Sequence, residues 1–405
     1  MEPKRTPVTN LAMALASVAL VVLLSMGLDR AFGKVMPPAT LPGAMELIFP
    51  PNAEQHYESI EFKYTARINK LGLREREIHP KQPGVFRICA LGDSYTYGWG
   101  VEAEQTWLRK LEEKLNADGV KVETINLGKP GSGPPFYAEL AQKALPLLEP
   151  DLVIVAVLMG NDIMAGNEDP SASASLSVPV KVARVLYPNL LRYFQRPGAP
   201  VEKRTTEMPP QVASAESNIE WTRNTAQEFL KKMSPEERAR YDLIDPQVRA
   251  GFETGRFNPY MVDLALKAPE VYNATLNPED PWFRGTIGKV GGYLRTIAQV
   301  ADSVGAPVLV AALPDGPYVN DHAWRNVQKV GYKLPEGMVD SDGPDRAVRM
   351  AAEDAGLPFL SATDAFKQHR TEPDLYFPFD GHMTAKGHAL FAEAIAPQVK
   401  AAVGK

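Results

Sequence analysis

Val85-Phe86-Arg87-Ile88-Cys89-Ala90-Leu91-Gly92-Asp93-Ser94-Tyr95-Thr96-Tyr97-Gly98 is the stretch on which the reading of this chain turns. Residues 85–91 form a mostly apolar run that reads as a strand, and a helix-like segment follows the glycine and aspartate that end it. Ser94 is thereby placed at the C-terminal end of a strand, where open α/β sheets bind and transform ligands. The turn beside it can direct backbone N–H groups at a developing oxyanion. Near the other end of the chain, Asp380-Gly381-His382 supplies a carboxylate and an imidazole close together. A serine nucleophile needs both, one group as general base and one to orient that base.

The alternation continues on both sides of a break. Residues 104–115 predict a helix with Trp107, Leu108, Leu111 and Leu115 on one face. Residues 122–127 read as a strand, 137–148 as a helix and 152–158 as a fully buried strand. After Asp162 the pattern stops, and residues 165–280 are punctuated by proline and mostly helical by local signals. Ser234-Pro235-Glu236-Glu237 is a capping box with proline at the first helical position, and Asn258-Pro259 opens a helix over 260–267. A helix over 292–304, a strand over 307–313, a helix over 345–355, a short strand over 357–360 and a helix over 385–401 complete the pattern, with a kink predicted at Pro397. Strands alternating with helices predict an α/β fold, a parallel sheet sandwiched by helices, with 165–280 as a mostly helical lid or side lobe.

Composition limits the alternatives. The 405 residues allow one large domain with an appendage, or two domains. A net charge of −5 gives no electrostatic case for a nucleic-acid partner. Cys89 is the only cysteine, which rules out an intramolecular disulfide and CxxC redox or metal motifs. Within an apolar strand it reads as a small buried hydrophobe. No charge lies between Arg5 and Asp29, and residues 11–28 are almost wholly apolar, long enough to cross a bilayer core of roughly 30 Å. Lys4 and Arg5 favour a cytoplasmic N-terminus, against which Arg30 and Lys34 pull. No Ala-x-Ala site follows the run, and an uncleaved transmembrane anchor is expected over a signal peptide. Either reading puts the rest of the chain outside the cytoplasm, in the periplasm or beyond. The expected organisation is an anchor over 1–34, a linker and extended lead-in over 35–82, and a catalytic domain over 83–405 interrupted by 165–280.

Four separated segments fall at strand ends or before the last helix: Gly92-Asp93-Ser94, Asn126-Leu127-Gly128-Lys129-Pro130-Gly131-Ser132-Gly133, Gly160-Asn161-Asp162 and Asp380-Gly381-His382. In a parallel sheet the strand C-termini share one rim. This set resembles the SGNH (GDSL-like) hydrolase family over residues 85–162 and 285–402, which implies a flavodoxin-like sheet and ester chemistry. The resemblance implies Ser94 as nucleophile, His382 as base and Asp380 as its orienting carboxylate. It further implies an oxyanion hole from the Ser94 and Gly131 N–H groups and the Asn161 side chain, with Gly128 and Gly133 as rivals of Gly131. Asp93 and Asp162 are expected beside these, Asp93 bonding turn amides. The familiar last block has two residues between Asp and His, and here there is one. On an extended segment, residues two apart point the same way with Cα atoms roughly 6.5–7 Å apart. The one-residue spacing also resembles branches of the superfamily that O-acetylate exopolysaccharides.

Other motifs are set aside. His388 reads as packing or capping the last helix, and a metal site from Asp380, His382 and His388 is not expected because the histidines are six apart rather than four. Residues 128–133 lack dinucleotide spacing, and Gly288-Lys289-Val290 lacks the hydroxyl a P-loop needs, so no cofactor is expected. The reading is a membrane-attached, extracytoplasmic serine esterase acting on an acylated small molecule or glycan, O-acetyl groups above all. The alternatives are an O-acyltransferase of envelope polysaccharide using the same triad and a non-catalytic envelope binding protein.

Overall fold

The structure, a computed structural model, describes residues 7–35, 41, 43–166, 186, 187, 189, 190 and 212–404. The strands are β1 (Glu54–Glu58), β2 (Lys63–Arg67), β3 (Phe86–Gly92), β4 (Val122–Gly128), β5 (Leu152–Leu158), β6 (Val212–Ala213), β7 (Val308–Leu313) and β8 (Phe359–Ser361). Leu152-Val153-Ile154-Val155-Ala156-Val157-Leu158 and Val308-Leu309-Val310-Ala311-Ala312-Leu313 are buried at every position. A strand covered on both faces has no polar side, so its sequence is a continuous apolar run. These strands form the centre of a five-stranded, wholly parallel sheet of order β4-β3-β5-β7-β8.

The chain leaves β3 for β4 in one direction, then crosses back to β5 and proceeds the other way. Right-handed crossovers therefore put helix Trp107–Ala117 on the face opposite Pro134–Leu148, Pro281–Ser303 and Gly343–Ala355. The C-terminal helix Ala385–Val403 packs on Trp107–Ala117, with the Trp107 and Phe391 rings edge to face at 5.2 Å. Pro397 lies inside this helix. The reversal of direction lies between β3 and β5, which opens a crevice at their C-terminal ends. Helix Pro281–Ser303 begins well before position 292, because Asp280 caps the Trp282 and Phe283 N–H groups and Pro281 takes the first position. Glycines at 285, 288, 291 and 292 obscure that stretch in the sequence.

The described part of the insertion, from 212 onward, holds four α-helices, Ala215–Lys232, Pro235–Tyr241, Pro246–Thr254 and Pro259–Lys267, and a 3-10 helix, Val271–Leu276. Its first part, residues 167–211, lies almost wholly outside the described residues. The helices bury their own core around Tyr241, Val248, Phe252 and Val262. Val327, Val330, Tyr332 and Phe379, from segments after β7, complete that core. A lobe that shares buried side chains with the parent domain is held to it by packing as well as by the chain. The lead-in folds too: β1 and β2 pair as an antiparallel hairpin, and β6 adds to β1 in parallel.

Helix Pro7–Val35 has Leu15, Val18, Val21, Leu24 and Leu28 all exposed. Its apolar stretch of 21 residues is long and apolar enough to cross a membrane. A rise of about 1.5 Å per residue makes it about 31 Å long, comparable to a bilayer core.

The seat of the Ser94 turn is set by glycine. A Cβ on Gly128 would lie 2.2 Å from the Tyr97 amide nitrogen, and one on Gly92 would lie 2.1 Å from Thr96 Oγ1. Backbone cannot give way as a side chain can, so Gly128→Ala is expected to lower unfolding free energy by about 1–3 kcal/mol. Urea denaturation measures it, and an unchanged midpoint would contradict close seating of the Ser94 turn on β4.

Candidate active site

Ser94 opens a one-turn helix, Ser94–Tyr97, directly after β3. Asp93 caps that turn by accepting the Tyr95 N–H at 3.0 Å, as its position beside the serine predicts. Gly98 ends it in the left-handed region at φ +84. Asn126 on β4 locks the turn from beside it, donating to the Thr96 carbonyl at 2.7 Å and accepting the Gly128 N–H at 2.8 Å. Arg74, itself buried, donates to the carbonyls of Tyr97, Gly98 and Val101 while sitting 4.7 Å from the centroids of both Tyr64 and Tyr97.

His382 comes from a loop that returns on itself, with Tyr376 and Met383 bridged antiparallel. The Phe377 N–H reaches the His382 carbonyl at 2.8 Å, and the Gly381 N–H reaches the Phe377 carbonyl at 3.0 Å. Gly381 takes φ +79, so Asp380 and His382 meet across a tight turn rather than along an extended segment. A turn brings the side chains closer than a strand does, and the single intervening residue becomes sufficient. His382 Nδ1 lies 2.6 Å from Asp380 Oδ1, and His382 Nε2 lies 2.8 Å from Ser94 Oγ. The Tyr95 ring stacks obliquely on the imidazole at 4.8 Å, and its hydroxyl donates to the Gly381 carbonyl at 2.9 Å.

Ser94, Gly131, Asn161, Asp380 and His382 all line one cavity of about 670 Å³. Gly131 is exposed and left-handed at φ +69. Its rivals are placed differently: the Gly128 N–H is already bonded to Asn126, and Gly133 caps helix Pro134–Leu148. Asn161 begins a short helix after β5 and is exposed, while Asp162 turns inward. Asp162 accepts the Leu158 N–H and the Tyr137 hydroxyl, both at 2.9 Å. The insertion lines the same cavity through Ile219, Trp221, Phe257, Tyr260, Leu264 and Tyr272. Trp282, another aromatic of this region, is exposed and lies elsewhere.

Several carboxyls crowd the site. Burial raises Asp93 to about 6 against the pull of the Tyr95 N–H. Burial and the Asp93 charge push Asp162 well above the carboxylate range. Asp315, beyond the end of β7, is raised to about 7 by burial, and it accepts the Tyr95 hydroxyl at 3.3 Å. Burial alone would lower His382, but the charge and hydrogen bond of Asp380, with Asp93 and Asp315 behind, outweigh it and the net shift is upward. His388 is the opposite case. It is buried, accepts the Trp107 N–H on Nδ1 at 3.2 Å, and burial drives it down to about 3, which makes it a neutral packing group. Cys89 is buried in β3 and pushed up to about 12, far from a reactive thiolate. Among the described residues, no group of three His, Cys, Asp or Glu side chains could hold a metal ion.

Four contributors were not singled out from the sequence: Arg74, Tyr95, Asn126 and Asp315. Asp315 follows the predicted strand over 307–313, so the rim argument that found Ser94 and Asn161 reaches it as well. Tyr95 adjoins the serine but acts through contacts 220 and 286 residues away, which no local pattern reports.

The GDSL-like lipase/acylhydrolase family matches residues 90–390. No curated protein sequence matches the chain. Similar solved structures include TesA, at 10% identity and a TM-score of 0.36, covering 78% of this chain and 99% of that one. A catalytic mutant of Axe2, an acetylxylan esterase from Geobacillus stearothermophilus, is 10% identical with a TM-score of 0.37, covering 78% and 94%. The acetyl xylan esterase AlAXEase is 12% identical with a TM-score of 0.35, covering 78% and 100%.

An NMR titration of the imidazoles separates the two buried histidines. His382 is expected to titrate with a midpoint above the free value of about 6.5, and His388 to stay neutral until about pH 3. A His388 midpoint near that of a free imidazole would contradict the burial and hydrogen bonding described.

Proposed function

We propose that this chain, which belongs to the GDSL-like lipase/acylhydrolase family, is a serine esterase that uses Ser94, His382 and Asp380 on O-acyl groups of a glycan outside the cytoplasm. The observation that carries the catalytic part is the pair of hydrogen bonds on one imidazole, 2.6 Å to Asp380 and 2.8 Å to Ser94. A carboxylate on Nδ1 fixes the proton there, which leaves Nε2 as an acceptor facing the serine hydroxyl. His382 takes the Ser94 proton as Oγ attacks the ester carbonyl. The oxyanion is received by the N–H groups of Ser94 and Gly131 and the side-chain amide of Asn161. Donors of this kind are worth about 2.7–4 kcal/mol each at the transition state. The alcohol leaves with the proton held on His382, and water, activated by the same nitrogen, releases the acid. Asp93 and Asp162 act behind these groups, one capping the nucleophile turn and the other the Asn161 turn.

The glycan part rests on the cavity. An acetyl group fills a small part of about 670 Å³, so most of the space is left for the alcohol portion of the ester. Trp221 and Tyr260 line its outer part, are 58% and 54% exposed, and lie 6.4 Å apart between ring centroids. Asn218 and Asn258 line the same cavity. Open aromatic faces with amide groups beside them suit a sugar, which offers flat C–H faces and a ring of hydroxyls. The exposed apolar helix Pro7–Val35 supports attachment to a membrane, and Lys4 and Arg5 before it favour an extracytoplasmic position for the rest of the chain.

The test is hydrolysis of p-nitrophenyl esters of graded length by the full chain, with and without an acetylated oligosaccharide. Ser94→Ala and His382→Ala are each expected to lose at least about 10³-fold in kcat/KM, while His388→Ala loses stability and keeps most activity. The wild-type rate should rise with pH through a midpoint above the ordinary imidazole value, since His382 must be neutral and is shifted upward. Wild-type rates in Ser94→Ala would overturn the triad. Product carrying the acyl group on an oligosaccharide acceptor would make the enzyme a transferase.

A further inference from the structure

Residues 54–67 precede the family-matched stretch, which starts at residue 90. They nevertheless reach the base. The tip between β1 and β2 is closed by Ser59, whose hydroxyl accepts the Glu61 N–H at 3.0 Å and the Phe62 N–H at 3.1 Å. It is braced from both sides: the Ile60 N–H donates to the Arg256 carbonyl of the inserted lobe at 2.8 Å, and the Phe62 ring packs on Phe377 at 5.0 Å. Held this way, Glu61 extends its carboxylate to the His382 loop. Oε1 accepts the Phe379 N–H at 2.8 Å and Oε2 accepts the Asp380 N–H at 2.7 Å.

We propose that Glu61 is a positioning residue for the catalytic base, fixing the backbone of Phe379 and Asp380 so that the Asp380 carboxylate meets His382 Nδ1. The proposal rests on the triad reading above. Both oxygens of one carboxylate are spent on two successive amides, immediately before the left-handed Gly381. Nothing lies within 4 Å of where a Cβ on Gly381 would be, so no packing against that residue fixes the turn. The turn is therefore held by its neighbours, and Glu61 is the neighbour on the Asp380 side, as the Tyr95 hydroxyl is on the Gly381 carbonyl. The Glu61 carboxyl lies behind the pair, partly buried. Burial and the Asp380 charge raise it to about 7, while its two amide donors and His382 pull it down. Asp380, Asp93 and Asp315 all favour the protonated form of the imidazole.

Glu61→Gln separates positioning from bulk. Glutamine keeps the volume, but its amide offers only one acceptor and sets an NH2 group against the second backbone N–H. The full chain in detergent micelles is assayed on p-nitrophenyl acetate across about pH 5–9, and the downfield proton NMR signal of His382 Nδ1–H is recorded. Glu61→Gln is expected to lower kcat about 10²-fold with KM within about twofold. Its acid limb should move to lower pH because the Asp380 contact that raises His382 is loosened, and the downfield signal should shift or broaden. Glu54→Gln, on the same hairpin, removes only contacts to Arg67 and His56 and should behave as wild type. Glu61→Ala should lose at least as much as Glu61→Gln; if it fails to fold, Glu61→Gln decides alone. Wild-type kcat, acid limb and downfield signal in Glu61→Gln, beside an inactive Ser94→Ala, would overturn the proposal. An altered melting temperature with those three unchanged would overturn it too, by reducing Glu61 to a structural group. An active Ser94→Ala would instead overturn the triad on which it rests.

Discussion

The imidazole of His382 must satisfy two partners at once, Asp380 at 2.6 Å and Ser94 at 2.8 Å, although the serine lies 288 residues away in the chain. Hydrogen bonds of that length tolerate errors of a few tenths of an ångström. Much of the architecture around the crevice can be understood as meeting that tolerance. On the serine side, the sheet supplies a fixed edge, and Gly92 and Gly128 let the one-turn helix sit directly on the ends of β3 and β4. Asn126 and Arg74 then take up the carbonyls of that helix and of the residues after it. On the histidine side the support is a loop, which has no sheet edge of its own and is held from outside by Tyr95, Glu61 and the packing of Phe379 into the lobe core.

The two halves are also joined electrostatically. Asp93, Asp315 and Glu61 stand around one imidazole beside Asp380, in a buried setting that raises each of the three. Their shared effect is to favour the imidazolium that forms when a serine gives up its proton. The same crowding makes the site costly to assemble without hydrogen-bond donors, and the Tyr95, Phe379 and Asp380 N–H groups supply three of them.

The sheet was legible because buried parallel strands leave an unmistakable record. The runs over 152–158 and 307–313 have no polar face, that over 85–91 is broken only by Arg87, and the ends of 85–91 and 152–158 point to Ser94 and Asn161. Helix starts were less legible where glycine thinned the pattern, as at 281–292, although Asp280-Pro281 carries the cap that marks it. The Asp380-His382 contact was expected along an extended segment and is made across a turn, because Gly381 adopts a conformation that sequence spacing alone does not specify. Glu61 and Arg74 were not legible at all. Each is an ordinary charged residue in a polar stretch, and its role comes from tertiary contacts with segments whose position depends on the finished fold.

The central claim is that Ser94 Oγ is the atom that forms a covalent bond to substrate, with His382 removing its proton. Peptide mapping by mass spectrometry after reaction of the full chain with a fluorophosphonate tests it most directly. One phosphonyl group is expected, carried by the peptide that contains Ser94, with loss of that adduct when His382 is replaced by alanine. An adduct on any other residue, or an undiminished adduct on Ser94 without His382, would contradict it.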